Sequence, residues 1–182
     1  MQMAKRLCFL PGMFALCAFS ALGNLKGADQ VNMHIYGNVI DQGCDVATSS
    51  AMQNIFIGNF NISDFQDANA VSASADLTID INGCAAGIEG AKVYFSGDSD
   101  PLAPTLLKLT DTGGGGNMAT GIAVQIIDAQ TQEEIPLNRL TARNPLQAGD
   151  NELKYKLRYK STKAGATGGN ATAVLYFDLV YE

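Results

Sequence analysis

Apolar and polar residues alternate at period two along most of this chain. In residues 171–182, Ala173, Leu175, Phe177, Leu179 and Tyr181 fall on one face and Thr172, Val174, Tyr176, Asp178 and Val180 on the other. β-Branched and aromatic types dominate both sets, which predicts a strand with at least one buried face. With one residue after it, this strand is expected to have no following hairpin partner. One side of its backbone is then paired by an earlier segment, by another chain, or not at all.

The same alternation recurs upstream. Leu153, Tyr155, Leu157 and Tyr159 point one way over residues 152–160, and Lys154, Lys156, Arg158 and Lys160 point the other, a basic face read as solvated. Over residues 75–84, Leu77, Ile79 and Ile81 alternate with Thr78, Asp80 and Asn82, and the run ends on Gly83-Cys84. Residues 121–128 carry Ile122, Val124 and Ile126, followed by a turn and a return strand of Ile135, Pro136 and Leu137, where the proline keeps it at an edge. Shorter pieces are predicted at 54–58, with Ile55 and Ile57, at 92–96, with Val93 and Phe95, and at 106–109. Residues 59–74 lack a period and read as a loop or a strand crossing between sheets, and 162–170 as a turn region. No segment shows a 3.6-residue period, so the fold class is all-β, a sandwich of short strands.

Near the N-terminus, Val31, Met33, Ile35, Gly37 and Val39 alternate with Asn32, His34, Tyr36 and Asn38. Ile40, Asp41 and Gln42 separate this strand pattern from a second one at Gly43-Cys44. Such a link continues a strand or turns a hairpin, but it is too short for a crossover to the far edge of a sandwich. Residues 28–40 are therefore expected to hang free of the domain at 41–182. A free segment with an apolar face suits the open sheet edge of another chain.

Ahead of it, Lys5 and Arg6 precede an apolar run over residues 7–22, and Ala21-Leu22-Gly23 offers a small-x-small cleavage site. This is a secretory signal peptide, residues 1–23, with an alternative end at 27. The run is short and contains Pro11 and Gly12, which argues against a retained membrane anchor. Roughly 155 residues remain, one domain by size. The net charge of −6 with no basic patch and no tryptophan excludes nucleic acid as a partner.

Of four cysteines, Cys8 and Cys17 leave with the signal, and Cys44 and Cys84 read as one disulfide in an oxidising compartment. A metal site is the rival reading; it has a single histidine, His34, and no Cys-x-x-Cys to draw on. Four consecutive glycines within residues 111–117 form a flexible loop without the Lys-Ser/Thr of a phosphate loop. Asp41, Asp45, Asp98 and Asp100 read as turn chemistry, and no nucleophile is placed near His34. No enzyme, cofactor or small-molecule substrate is expected.

Several motifs then occur in a fixed order: Gly37-Asn38-Val39, Gly43-Cys44-Asp45-Val46, Ile81-Asn82-Gly83-Cys84, Val93-Tyr94-Phe95-Ser96-Gly97, residues 121–126, and Ile135-Pro136-Leu137. Gly169, fourteenth from the C-terminus, and the penultimate Tyr181 complete the set. From residue 28 onward the chain resembles pilus subunits of the chaperone-usher pathway, and most of all the minor, adaptor-type subunits of type 1 fimbriae.

The resemblance implies an immunoglobulin-like sandwich that lacks its last strand, with Cys44–Cys84 as the internal disulfide. It implies a donor strand of Val31, Met33, Ile35, Gly37 and Val39. It also implies an acceptor strand, contacted by the chaperone, of Gly169, Ala173, Leu175, Phe177, Leu179 and Tyr181. The implied partners are a periplasmic chaperone, an outer-membrane usher and other subunits, and the implied destination is the cell-surface fimbrium. Two other readings are a secreted β-sandwich binding module and an adhesin that recognises a surface ligand. Gly37 is expected where the acceptor groove is shallow, so Gly37→Leu should block docking into a neighbouring subunit; assembly of that variant into polymers at the normal rate refutes the assignment.

Overall fold

The centre of the fold is set where two alternating runs meet in register, Leu77 opposite Tyr155 and Ile79 opposite Leu153. The computed structural model describes residues 43–182. Ten strands run through them: β1 Asp45–Val46, β2 Ala75–Cys84, β3 Gly90–Ser96, β4 Leu107–Lys108, β5 Ile122–Asp128, β6 Glu134–Ile135, β7 Arg139–Leu140, β8 Asn144–Pro145, β9 Gly149–Ser161 and β10 Tyr176–Tyr181. The larger sheet has the order β1-β2-β9-β5-β4, with β6 also on β5; the smaller has β10-β3-β7, with β8 also on β3. All the strand pairs are antiparallel.

The sheets pack face to face, and the inward residues of each alternating run make the core. Ile79, Ile81, Val93, Phe95, Ile126 and Tyr155 are all but inaccessible. Phe95 of the small sheet meets Tyr155 of the large one edge to face, ring centroids 4.9 Å apart. That geometry suits the ring quadrupoles and adds about 0.5–1.5 kcal/mol to simple burial. The Tyr155 hydroxyl would be a liability there without a partner, and Asn144 Nδ2 of β8 donates to it at 3.2 Å. Cys44 and Cys84, 40 residues apart, are joined in a disulfide at the start of β1 and the end of β2. Closing such a loop is worth about 4 kcal/mol in the chain-entropy account.

Several elements depart from the sequence pattern. Residues 54–58 form no strand, because no other described segment pairs with them. A single helical turn, α1 Thr48–Ala51, follows β1; the Ser50 hydroxyl, buried, accepts the Asp80 N–H at 2.9 Å and holds it against β2. One turn is too short to carry a helical period. β7 and β8, two residues each, are likewise below the length at which alternation is readable. Residues 59–74 contain a 3-10 turn, Ile62–Phe65, and touch β9 by a bridge from Val71 to Lys160.

The basic face of β9 is less solvated than its pattern suggests. Lys154 is exposed and paired with Glu152 at 2.7 Å, but Arg158 Nε donates to Gln125 Oε1 at 2.6 Å, and Lys160 lies 3.3 Å from Glu134. Gln125 is buried and also bonds to Glu134. Burial pushes the Glu134 carboxyl up, but hydrogen bonds from Thr105 and Gln125 and the Lys160 ammonium together hold it below its usual value.

Burial pushes the Tyr155 pKa from 10.0 up to about 12, against the opposing Asn144 hydrogen bond. In that interval the unfolded chain gives up the phenolic proton and the folded chain keeps it, so stability falls as pH rises. Urea unfolding followed from pH 9 upward should show this loss, and Tyr155→Phe should make the decline shallower, with equal slopes counting against the account.

Candidate functional site

β10 is the edge of the smaller sheet, and its burial alternates residue by residue because only one side of it is covered. Its ladder to β3 runs from Tyr176 opposite Ser96 to Tyr181 opposite Ala91. Among the described residues no strand pairs with its other side. Ala173, Leu175, Phe177, Leu179 and Tyr181 all point toward the core and pack on it, yet each stays only half-buried. That is the mark of an apolar face with one neighbour missing.

Beside the strand lies a groove of about 1020 Å³. Its floor is made by core side chains, among them Leu77, Phe95, Leu107, Ile122 and Leu157. One wall is the terminal stretch from Gly168 to Asp178, and the wall facing it is residues 53–60. Ile55, Ile57 and Phe60 of that second wall are half-buried against the core. The backbone groups of residues 54–60 make no backbone hydrogen bond to another described residue. The apolar floor thus lies between this segment and the unpaired edge of β10, both with backbone donors and acceptors that no described strand takes up. Each such group, if buried without a partner, would cost about 1–3 kcal/mol.

Tyrosines bridge both ends. Tyr159 Oη donates to the Ala171 carbonyl at 2.6 Å, and its ring meets Phe60 edge to face at 6.0 Å. At the other end Tyr181 Oη donates to the Cys44 carbonyl at 3.1 Å, next to the disulfide. Burial raises the pKa of both hydroxyls, with the Asp45 charge adding to the effect at Tyr181.

Gly169 has a steric reason to be glycine. A Cβ there would lie 2.4 Å from the Asn117 carbonyl oxygen and 2.6 Å from the Ala119 nitrogen. The close approach lets Asn170 bond in both directions, accepting from Ala119 N–H at 2.9 Å and donating to Asn117 O at 2.8 Å. Thr110 N–H donates to Thr172 O at 2.7 Å. The terminal stretch is thus tied first to residues 110–119 and only from Tyr176 to β3, rather than forming one ladder from residue 171.

The glycine run beside it is folded around a carboxylate. Asp111 accepts backbone N–H bonds from Gly116 at 2.8 Å and Gly113 at 3.2 Å, and these, the Gly116 bond foremost, lower its pKa. Asn170 Nδ2 donates to Gly116 O at 2.8 Å, fastening the loop to the groove.

Of the residues singled out in the sequence, Gly169, Ala173, Leu175 and Phe177 line the groove, and Leu179 and Tyr181 continue the same face past its lining. Val31, Met33, Ile35, Gly37 and Val39 lie outside the described residues. Sequence reasoning missed residues 53–60 as the opposite wall; the alternation of Ile55 and Ile57 is the available signal, and by itself it predicts a short strand at 54–58 without saying what pairs with it. Among the described residues no three His, Cys, Asp or Glu side chains are placed to hold a metal ion.

A model of the fimbrial protein family matches residues 33–182. The chain is 77% identical over 158 residues to the uncharacterised fimbrial-like protein YcbU of Escherichia coli K12, covering 87% of this chain and 88% of that one. The P pilus rod subunit PapA aligns with a TM-score of 0.63 at 28% identity, over 76% of this chain and 99% of PapA. A chaperone-usher pilus structure that reveals the basis of rod uncoiling gives a TM-score of 0.63 at 28% identity, over 84% of this chain and 96% of that one.

Gly169→Ala should cost about 1–3 kcal/mol, because backbone rather than a movable side chain blocks the new methyl group. Gly168, with open space around its own Cβ position, supplies the control: Gly168→Ala should leave the urea midpoint nearly in place, and equal midpoints for the two variants would remove the steric argument.

Proposed function

The chain belongs to the fimbrial protein family, and on that footing we propose that it is a minor, adaptor-type subunit of a chaperone-usher pilus, joined head to tail by strand exchange. It is a structural protein and not an enzyme. The observation that carries the reading is the groove: an apolar floor between the edge of β10 and residues 53–60, neither of which is paired by a strand among the described residues.

In this reading residues 1–23, or 1–27, are a signal peptide that sends the chain to the periplasm. A chaperone there lends a strand to the groove beside β10. At the outer-membrane usher, residues 28–40 of the next subunit take its place. Val31, Met33, Ile35 and Val39 enter the groove over Ala173, Leu175, Phe177 and Leu179, and Gly37 occupies the point with least room. Burying four large apolar side chains contributes roughly 6–12 kcal/mol before ordering costs, and the backbone ladder on both sides adds to it. Donor segment and groove are different parts of one protomer, so the contact is heterologous and propagates as a fibre at the cell surface rather than closing into a ring. The fibre serves adhesion as a linking element; receptor binding belongs to other subunits.

The mature chain expressed without a chaperone should aggregate or be degraded. A synthetic peptide of residues 30–40 added during refolding should yield a soluble complex, and Leu175→Asp should prevent it. A stable, soluble monomer that ignores the peptide would instead support a self-contained binding module.

A further inference from the structure

Each wall of the groove carries a large aromatic ring at its rim. Phe56 is 74% exposed and Tyr176 64% exposed, and both line the groove. A single exposed ring needs no explanation, but one on each wall of a single slot gives that slot two uncovered aromatic surfaces. The outward positions of the terminal stretch near Tyr176 are Val174, Asp178 and Val180.

The segment at residues 30–40 has its apolar residues on one face, and the opposite face reads Asn32, His34, Tyr36 and Asn38. Tyr36 is the single Phe, Tyr or Trp of that face. When a strand of this pattern lies between two others, its second face comes to the outer surface and meets the outward side chains of both neighbours, about 4.5–5.5 Å away between Cβ atoms.

Resting on the donor-strand reading above, we infer that Tyr36 of a second copy of this chain seats between Phe56 and Tyr176, and that this three-ring row on the outer surface selects the donor and fixes its register. Antiparallel pairing with Tyr36 opposite Tyr176 sets the place of the rest of the segment. His34 falls opposite Asp178, an imidazole beside a carboxylate, and Asn38 opposite Val174. On the inner side Ile35 meets Phe177, Gly37 meets Leu175 and Val39 meets Ala173, so the residue without a side chain faces the larger aliphatic one. Parallel pairing about the same Tyr36–Tyr176 contact sets His34 against Val174 and Asn38 against Asp178, exchanging the imidazole–carboxylate pair for an amide–carboxylate one.

The complementarity points to residues 30–40 of this same sequence as the occupant. In the antiparallel register Tyr36 meets Tyr176, His34 meets Asp178 and Gly37 meets Leu175, and Tyr36 is the one Phe, Tyr or Trp that the segment offers to the exposed rings of the slot. Inner apolar residues supply the bulk of the binding, which any alternating segment could offer; the outer row discriminates among such segments.

The test uses the mature chain and synthetic peptides of residues 30–40. Tyr36→Ser in the peptide should speed its dissociation about five- to tenfold, and Tyr36→Phe should leave the rate near that of the native peptide. The change is in the peptide, so folding of the host is not in question. Phe56→Ser or Tyr176→Ser in the host should weaken the native peptide similarly, and with both substituted Tyr36→Ser should have no further effect. For register, a His34→Cys peptide should crosslink to Asp178→Cys and not to Val174→Cys. Equal dissociation of the native and Tyr36→Ser peptides, or crosslinking to Val174→Cys, overturns the inference and leaves the donor-strand reading standing. Failure of the native peptide to bind overturns both.

Discussion

The constraint on which everything else depends is an unpaired sheet edge laid over an apolar floor. A strand edge in water is tolerable because water satisfies its backbone groups, and an apolar trough is tolerable when something covers it. β10 combines the two: Phe177, Leu179 and Tyr181 rest half-covered along it, with Ala173 and Leu175 continuing the face just before it, and its outer N–H and C=O groups have no described partner. Only an inserted strand resolves both at once, since it brings side chains for the floor and a backbone for each wall. The binding chemistry follows from that double demand without any charged or catalytic group.

Around the groove the domain is firmly built. The Phe95–Tyr155 contact joins the sheets through the middle, and the long β2–β9 ladder gives the larger sheet a rigid spine. The disulfide fixes the start of β1 to the end of β2, and Tyr181 reaches across to the carbonyl of the same cysteine. The floor of the slot and its β10 wall are therefore tied into the two sheets. Such a frame preserves the shape an incoming strand must match, which lowers the ordering cost of binding.

Legibility in the sequence followed the length of each alternating run. β2, β5 and β9 were readable because a buried face repeats over seven or more residues. The inward set of the terminal stretch was readable for the same reason. α1, β7 and β8 were not, being too short for any period to accumulate. The wall at residues 53–60 was misread for a different cause: its alternation is real, but pairing is non-local and the sequence does not say which chain supplies the partner. Hydroxyl destinations were also invisible. Alternation places Tyr159 and Tyr181 toward the core but cannot show that one ends on Ala171 and the other on Cys44. The resemblance singled out Gly169, but only the backbone at Asn117 explains it.

The ladder between β10 and β3 has a mechanical meaning. Six residue pairs run from Tyr176 to Tyr181, and past them Glu182 exchanges backbone bonds with Gly90 while its side chain pairs with Lys92. In a fibre of such units, tension enters along the inserted strand and loads β10 in shear, parallel to its own axis. Cross-strand bonds perpendicular to that pull share the load and must fail together rather than one after another, and the Tyr181 hydroxyl ties the end of β10 to the carbonyl of Cys44, itself covalently linked to Cys84. The subunit built this way resists stretching as a unit, and it does so by the same geometry that leaves its edge open.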